Sequence, residues 1–117
     1  MFRETLQKIL DNCDGVSAVA VMDCDGLEIE TVSRDPKLDI KAIGGELSYL
    51  LGQMRKATKN LRVGDLQELS IRGNNLTYLV SILSDEHFLV SVLQPSGIPG
   101  KNRYFVQLYL PSLRKNL

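Results

Sequence analysis

The stretch Gly15-Val16-Ser17-Ala18-Val19-Ala20-Val21-Met22-Asp23-Cys24-Asp25-Gly26-Leu27-Glu28-Ile29-Glu30 decides the fold. Val16 to Asp23 is apolar and rich in β-branched residues, the composition of a buried strand. Leu27 to Val32 alternates Leu27/Glu28/Ile29/Glu30, the period of a strand with one wet face. Asp25-Gly26 supplies the positive φ that a tight hairpin turn needs. Upstream, Phe2, Leu6, Ile9 and Leu10 repeat at helical spacing from Phe2 to Asn12, and Asp14-Gly15 stops that helix. Downstream, Ser33 to Leu38 is a polar loop containing Pro36, after which Asp39 can cap a long helix running to about Asn60.

Within that helix Ile40, Ile43, Leu47, Leu50, Met54, Ala57 and Leu61 step by three and four, so they predict one apolar stripe facing a sheet. The opposite face carries Lys41, Gly45, Ser48, Gly52, Arg55, Lys56 and Lys59. Each exposed mid-helix glycine costs about 1 kcal/mol relative to alanine. A side-chain-free groove of Gly45, Ser48 and Gly52, with Gly44 at its margin, offsets that cost if another helix presses into it. The plainer alternative is relief of crowding against the same chain.

After a break at Val63-Gly64, strands are expected at Leu66–Arg72, Leu76–Leu83 and Phe88–Gln94. Gly73-Asn74-Asn75 and Asp85-Glu86 form the turns between them. The second and third of these runs are apolar at both parities, so helices must cover both faces of the sheet. Leu66–Arg72 is half polar and reads as an edge strand open to further pairing. Gln94 to Gly100 is a loop, and Lys101 to Leu117 is a helix that Pro111 should bend or end. The order is α-β-β-α-β-β-β-α in one domain over residues 1–117, an α+β fold with a largely antiparallel sheet.

The chain has 117 residues, with 14 basic residues against 14 acidic, 44% hydrophobic and 24% charged, so it is an ordinary globular domain. Zero net charge argues against a nucleic-acid-coating protein. No apolar run is long enough to span a bilayer, so direct membrane insertion is not expected. The N-terminus lacks a signal-peptide core, and Cys13 and Cys24 read as reduced thiols of a cytoplasmic protein.

Val19-Ala20-Val21-Met22-Asp23-Cys24-Asp25-Gly26 has the look of the first motif of haloacid-dehalogenase phosphatases, with Asp23 as nucleophile and Asp25 as general acid around Mg²⁺. Leu27 departs from that motif, and no downstream Asp pair and lysine complete it. A hairpin turn explains the same residues. The glycine comes too early for an EF-hand. Gly97-Ile98-Pro99-Gly100-Lys101-Asn102 fails as a phosphate loop, because Asn102 replaces Ser/Thr and Pro99 removes an amide. His87 stands without a second histidine or a nucleophile. The expectation is a protein with no catalytic residue, no cofactor and no metal site of its own.

The "GV…D.DG" hairpin after an N-terminal helix, the long helix leading to Gly64-Asp65-Leu66-Gln67-Glu68-Leu69-Ser70-Ile71, and the apolar strand Phe88-Leu89-Val90-Ser91-Val92-Leu93 before a last helix resemble the Roadblock / dynein light chain family. The likeness extends to its free-standing prokaryotic MglB-type members and spans nearly the whole chain. It implies a five-stranded antiparallel sheet with the long helix on one face and the two terminal helices on the other. It also implies a homodimer in which the third strand pairs with its symmetry mate and the long helices lie side by side. Leu66, Gln67, Glu68, Leu69, Ser70 and Ile71 correspond to that interface, with Gly45, Ser48 and Gly52 on the helix. The implied partner is a small Ras-like GTPase, bound at Lys41, Gly45, Ser48, Gly52, Arg55 and Lys59 by a regulator or scaffold. Some family members activate GTP hydrolysis, and others are structural adaptors of the dynein type. Neutrality is global only: Lys41, Arg55, Lys56 and Lys59 are basic on one helix face, and Asp23, Asp25, Glu28 and Glu30 are acidic around the hairpin.

Overall fold

The computed structural model describes residues 2–117. Its elements are α1 (Phe2–Asn12), β1 (Val16–Asp23), β2 (Glu28–Ser33), α2 (Ile40–Asn60), β3 (Glu68–Arg72), β4 (Thr77–Ser84), β5 (His87–Leu93) and α3 (Pro99–Lys115). The strands form one sheet of order β2-β1-β5-β4-β3 with every pairing antiparallel. The most apolar strands, β1 and β5, lie at its centre, and the half-polar β2 and β3 form the edges.

Register fixes which residues share a face. Ala20 lies opposite Val90, Val90 opposite Val80, and Val80 opposite Leu69, so these four form a row across the sheet. That row belongs to the layer under α2, where Leu47 and Leu51 pack on Ala20, Met22, Val80, Phe88 and Val90. The neighbouring row, Val21, Leu89, Ser81 and Glu68, faces the other way. There Leu6, Ile9 and Leu10 of α1 and Val106, Leu110 and Leu113 of α3 close a second layer with Val19, Val21, Leu79, Leu83, Leu89 and Leu93. The long helix thus covers one face and the terminal helices the other, as central strands apolar at both parities require.

Local chemistry sets the element ends. Asp39 caps α2 by accepting the Ala42 N–H at 3.0 Å. In the first hairpin the Asp23 carboxylate accepts the N–H groups of Asp25 and Leu27 at 2.9 and 3.0 Å, while Gly26 takes φ +82°.

Four expectations change. Helix α3 starts at Pro99 and does not end at Pro111. Both Pro111 and Gln107, the residue that loses its bonding partner, are exposed, so the freed carbonyl lies on the solvent side of the helix while buried Leu110 and Leu113 hold the helix down. Leu61 does not join the buried stripe of α2, since it is the C-cap and 72% exposed. Leu51 and Gly44 are buried instead. Strand β3 begins at Glu68 and not Leu66, although the Ile82 N–H donates to the Gln67 carbonyl and carries the ladder one bond further. The strand boundaries of β2, β4 and β5 each shift by one residue at either end. No helix among the described residues is long and apolar enough to cross a membrane.

Candidate functional site

Helix α2 crosses the sheet near the end that carries the β1–β2 and β4–β5 turns, and it is anchored to both. Ser48 Oγ donates to the Cys24 carbonyl at 2.6 Å, and Arg55 Nη1 donates to the Asp85 carbonyl at 3.1 Å. The two turns are themselves joined, because the Cys24 N–H donates to the Glu86 carbonyl at 2.8 Å. Close contact between α2 and the first hairpin is made by glycines: a Cβ on Gly44 would lie 2.1 Å from the Gly26 carbonyl oxygen, and one on Gly26 2.2 Å from that of Gly44. Neither position can accept a side chain without backbone movement. The crowding alternative therefore describes Gly44. It does not describe Gly45 or Gly52, where a Cβ would meet nothing within 4 Å.

At about 100° per residue, Lys41, Gly45, Ser48, Gly52, Arg55 and Lys59 fall within about 80° of one another and make a single stripe. The stripe lies roughly a quarter-turn from the core-facing direction of Leu47 and Leu51, on the flank above the two turns. Lys41, Gly45, Gly52 and Lys59 are exposed, while Ser48 and Arg55 are half-buried by their bonds to the turns. Lys41 and Lys59 sit about 27 Å apart along the axis, so the stripe is a long surface and not a point site. The expected acidic hairpin abuts its N-terminal half, through the Ser48–Cys24 bond. The basic charge therefore concentrates toward the C-terminal half, at Arg55, Lys56 and Lys59.

The opposite flank of α2 carries Ile43, Leu50, Met54 and Ala57, all half-buried. In the same layer Leu66, Leu69, Ile71, Tyr78 and Ile82 pack against the core without being fully covered. This incompletely covered apolar margin adjoins β3, an edge strand. Gln67 and Gly73 bond toward β4, at Ile82 and Leu76. The alternation of an antiparallel ladder then turns the N–H and C=O groups of Glu68, Ser70 and Arg72 outward, away from the sheet. On the other face, Glu68 pairs with Arg103 of α3 at 2.6 Å.

The Asp23 carboxylate is occupied structurally, since it holds two turn amides. Among the described residues no three His, Cys, Asp or Glu side chains gather as a metal site. His87 is half-buried, with Nδ1 3.0 Å from Ser84 Oγ. The sequence gives no sign of Arg114 as a surface-forming residue. Its Nε donates to the Leu83 carbonyl and its Nη2 to that of Ile82, a contact between the chain's last turn and β4.

Solved structures share this architecture. The chain is 30% identical to MglC from Myxococcus xanthus, with 99% of this chain and 98% of that one covered and a TM-score of 0.71. A Roadblock/LC7 domain from Streptomyces avermitilis matches at 16% identity and a TM-score of 0.86, covering 97% and 94%. The gliding protein MglB from Thermus thermophilus matches at 17% identity and a TM-score of 0.88, covering 97% and 85%. Curated protein sequences return no significant match. The model of the Roadblock/LC7 domain covers residues 2–93, which leaves only α3 outside it. By that match and by the likeness to MglC, the chain belongs to the Roadblock/LC7 family.

Proposed function

We propose that the protein is a homodimeric regulator, without an active site of its own, that binds a small Ras-like GTPase in the cytoplasm. The observation that carries this reading is the open edge of β3 lying beside a half-covered apolar layer. A second copy pairing β3 to β3 would continue the sheet through the outward amides of Glu68, Ser70 and Arg72. Its own α2 would then shield Leu69, Ile71 and Tyr78, and the Leu50 flank of the first α2. Gln67 and Leu66 extend the same seam. An MglB structure is described as a tetrameric arrangement, a precedent for self-association on this fold.

In such an assembly both Leu50 flanks face inward and both glycine stripes face outward. Gly45, Ser48 and Gly52, expected from the sequence in both surfaces, then serve the partner together with Lys41, Arg55 and Lys59. Bare glycines allow a partner's backbone to approach α2, and the basic end favours an acidic docking patch. Regulation of the GTPase would act by biasing its switch loops.

Two measurements test this. Light scattering should give twice the chain mass for the wild type and a folded monomer for Ser70→Pro, which removes only an outward N–H. A folded Ser70→Pro dimer would move the interface elsewhere. A pull-down with a compact P-loop GTPase encoded beside this protein, loaded with GTP or GDP and followed by a hydrolysis assay, tests the partner. Faster hydrolysis identifies an activator, binding at unchanged rate a scaffold, and no binding in either state the adaptor alternative.

A further inference from the structure

A cavity of about 650 Å³ opens where the end of α2, the loop into β3, the β4–β5 turn and the last turn of α3 meet. Four cationic side chains line it: Arg55 and Lys59 from α2, Arg62 from the loop and Arg114 from α3, with Asp65 and Asp85 as its carboxylates. Among the described residues the only ion pair is Arg103–Glu68, outside this cavity, so no carboxylate contacts any of the four. Two of the guanidinium groups are held in place by backbone carbonyls, Arg55 by Asp85 and Arg114 by Leu83 and Ile82, with donors to spare.

Among the described residues Arg62 is the one non-glycine residue with positive φ, at +58°. The Arg62 N–H donates to the Lys59 carbonyl and the Val63 N–H to that of Thr58, the two bonds of a Schellman helix end. Glycine is the usual residue at that place because a Cβ strains it. Here an arginine occupies it and lines the cavity. Basic residues at helix ends ordinarily answer the helix dipole and its orphan carbonyls. At this helix end the amides of Leu61, Arg62 and Val63 already serve those carbonyls, and Arg114 donates to β4 instead of its own helix. The two dipoles, each about half a charge, together with Asp65 and Asp85 still leave an excess of positive charge.

We propose that this cavity binds a phosphomonoester. Such a group offers three terminal oxygens and nearly two negative charges, which suits several converging guanidinium donors better than a single carboxylate does. Leu66, Ile82 and Leu83 line the same cavity and give its organic part an apolar wall. Neither Arg62 nor Arg114 belongs to the partner stripe on α2, so this inference and the GTPase reading can fail separately.

The test is calorimetric titration of the full chain with phenyl phosphate and with inorganic phosphate, at pH 7.5 and pH 5.5. Phenyl phosphate should bind more tightly than inorganic phosphate, and both should weaken at the lower pH as the second proton returns near pH 6. Arg62→Gly should weaken binding about tenfold while leaving the thermal midpoint unchanged or higher, since it removes the backbone strain. Arg114→Gln should weaken it similarly, and Lys8→Gln on α1 should not. A short phosphotyrosine peptide then separates the sources: binding tighter than phenyl phosphate points to a modified protein, equal binding to a small metabolite. No binding, or binding indifferent to both arginine substitutions and to pH, overturns the proposal.

Discussion

The two faces of the sheet are built from similar residues and finished differently. Among the described residues, fifteen that are buried form the core cluster under α1 and α3, and only Phe2, Phe105 and Tyr109 stand partly out of it. Under α2, seven residues are buried and eight more, among them Leu50, Leu69, Ile71 and Tyr78, are only partly covered. One helix cannot shield five strands. A helix is about 10 Å across with side chains, whereas strands repeat every 4.8 Å or so. Two helices close the first face within the chain, and the second face is left with room for one more. The described residues supply no such helix, and in the proposed dimer the α2 of a second copy takes that place.

Truncation separates the faces most strongly. Ile9→Ala, on the closed face, should cost about 2–5 kcal/mol in urea unfolding at every protein concentration. Ile71→Ala, on the open face, should cost roughly 1 kcal/mol or less in dilute protein. It should also abolish most of the rise in stability with concentration that a dimer confers. Equal losses for the two substitutions, both independent of concentration, would mean that the open face is as complete as the closed one.

Glycine substitutions on α2 sharpen the same contrast at smaller scale. Gly44→Ala must push the first hairpin off the helix, because its Cβ would fall 2.1 Å from the Gly26 oxygen, and should destabilise by about 1–3 kcal/mol. Gly52→Ala meets nothing within 4 Å and should stabilise the chain by roughly 0.5–1 kcal/mol through helix propensity alone. Gly52→Leu should keep the fold and weaken GTPase capture. Undiminished capture would remove the stripe from the partner surface.

What could be read before folding was mostly local. Asp25-Gly26 and Asp39 each act within a few residues, and the hairpin and the capped helix stand where those signals put them, as does the half-polar edge strand β3. The alternation read over Leu27 to Val32 does not hold, because Leu27 and Ile29 are exposed while Glu30 is half-buried. The α2 stripe was harder. Spacing alone admits both Leu61 and Leu51, but the helix ends at Asn60, so Leu61 is an exposed C-cap while Leu51 lies over the sheet and is buried. Gly44 meets the hairpin while Gly45, about 100° further round the helix, meets nothing, and spacing does not say which of the two will. Pro111 misled because propensity is local while Leu110 and Leu113 are fixed by tertiary packing. Arg114 joins a site with residues far from it in sequence, and no pattern announces that.

The smallest expected effect concerns the two thiols, one on each side of the contrast. Cys13 belongs to the closed core, and burial pushes its thiol pKa above the ordinary 9.0, a shift that the Asn102 side chain and the charges of Lys101 and Arg34 oppose without reversing. Cys24 is exposed in the β1–β2 turn. A raised folded pKa means that the native state holds its proton longer than the unfolded chain does. The contribution is therefore full below about pH 9 and is lost as pH rises from there through the folded value. Wild type and Cys13→Ala should accordingly diverge in the pH dependence of unfolding only above that point, with the wild type falling more steeply. Native alkylation provides the kinetic counterpart: Cys24 should react at once, and Cys13 only at the rate at which the closed face opens. If Cys13 is modified as fast as Cys24 in the folded protein, the face under α1 and α3 opens too readily to be the rigid side of the molecule, and the contrast between the two layers collapses from that direction.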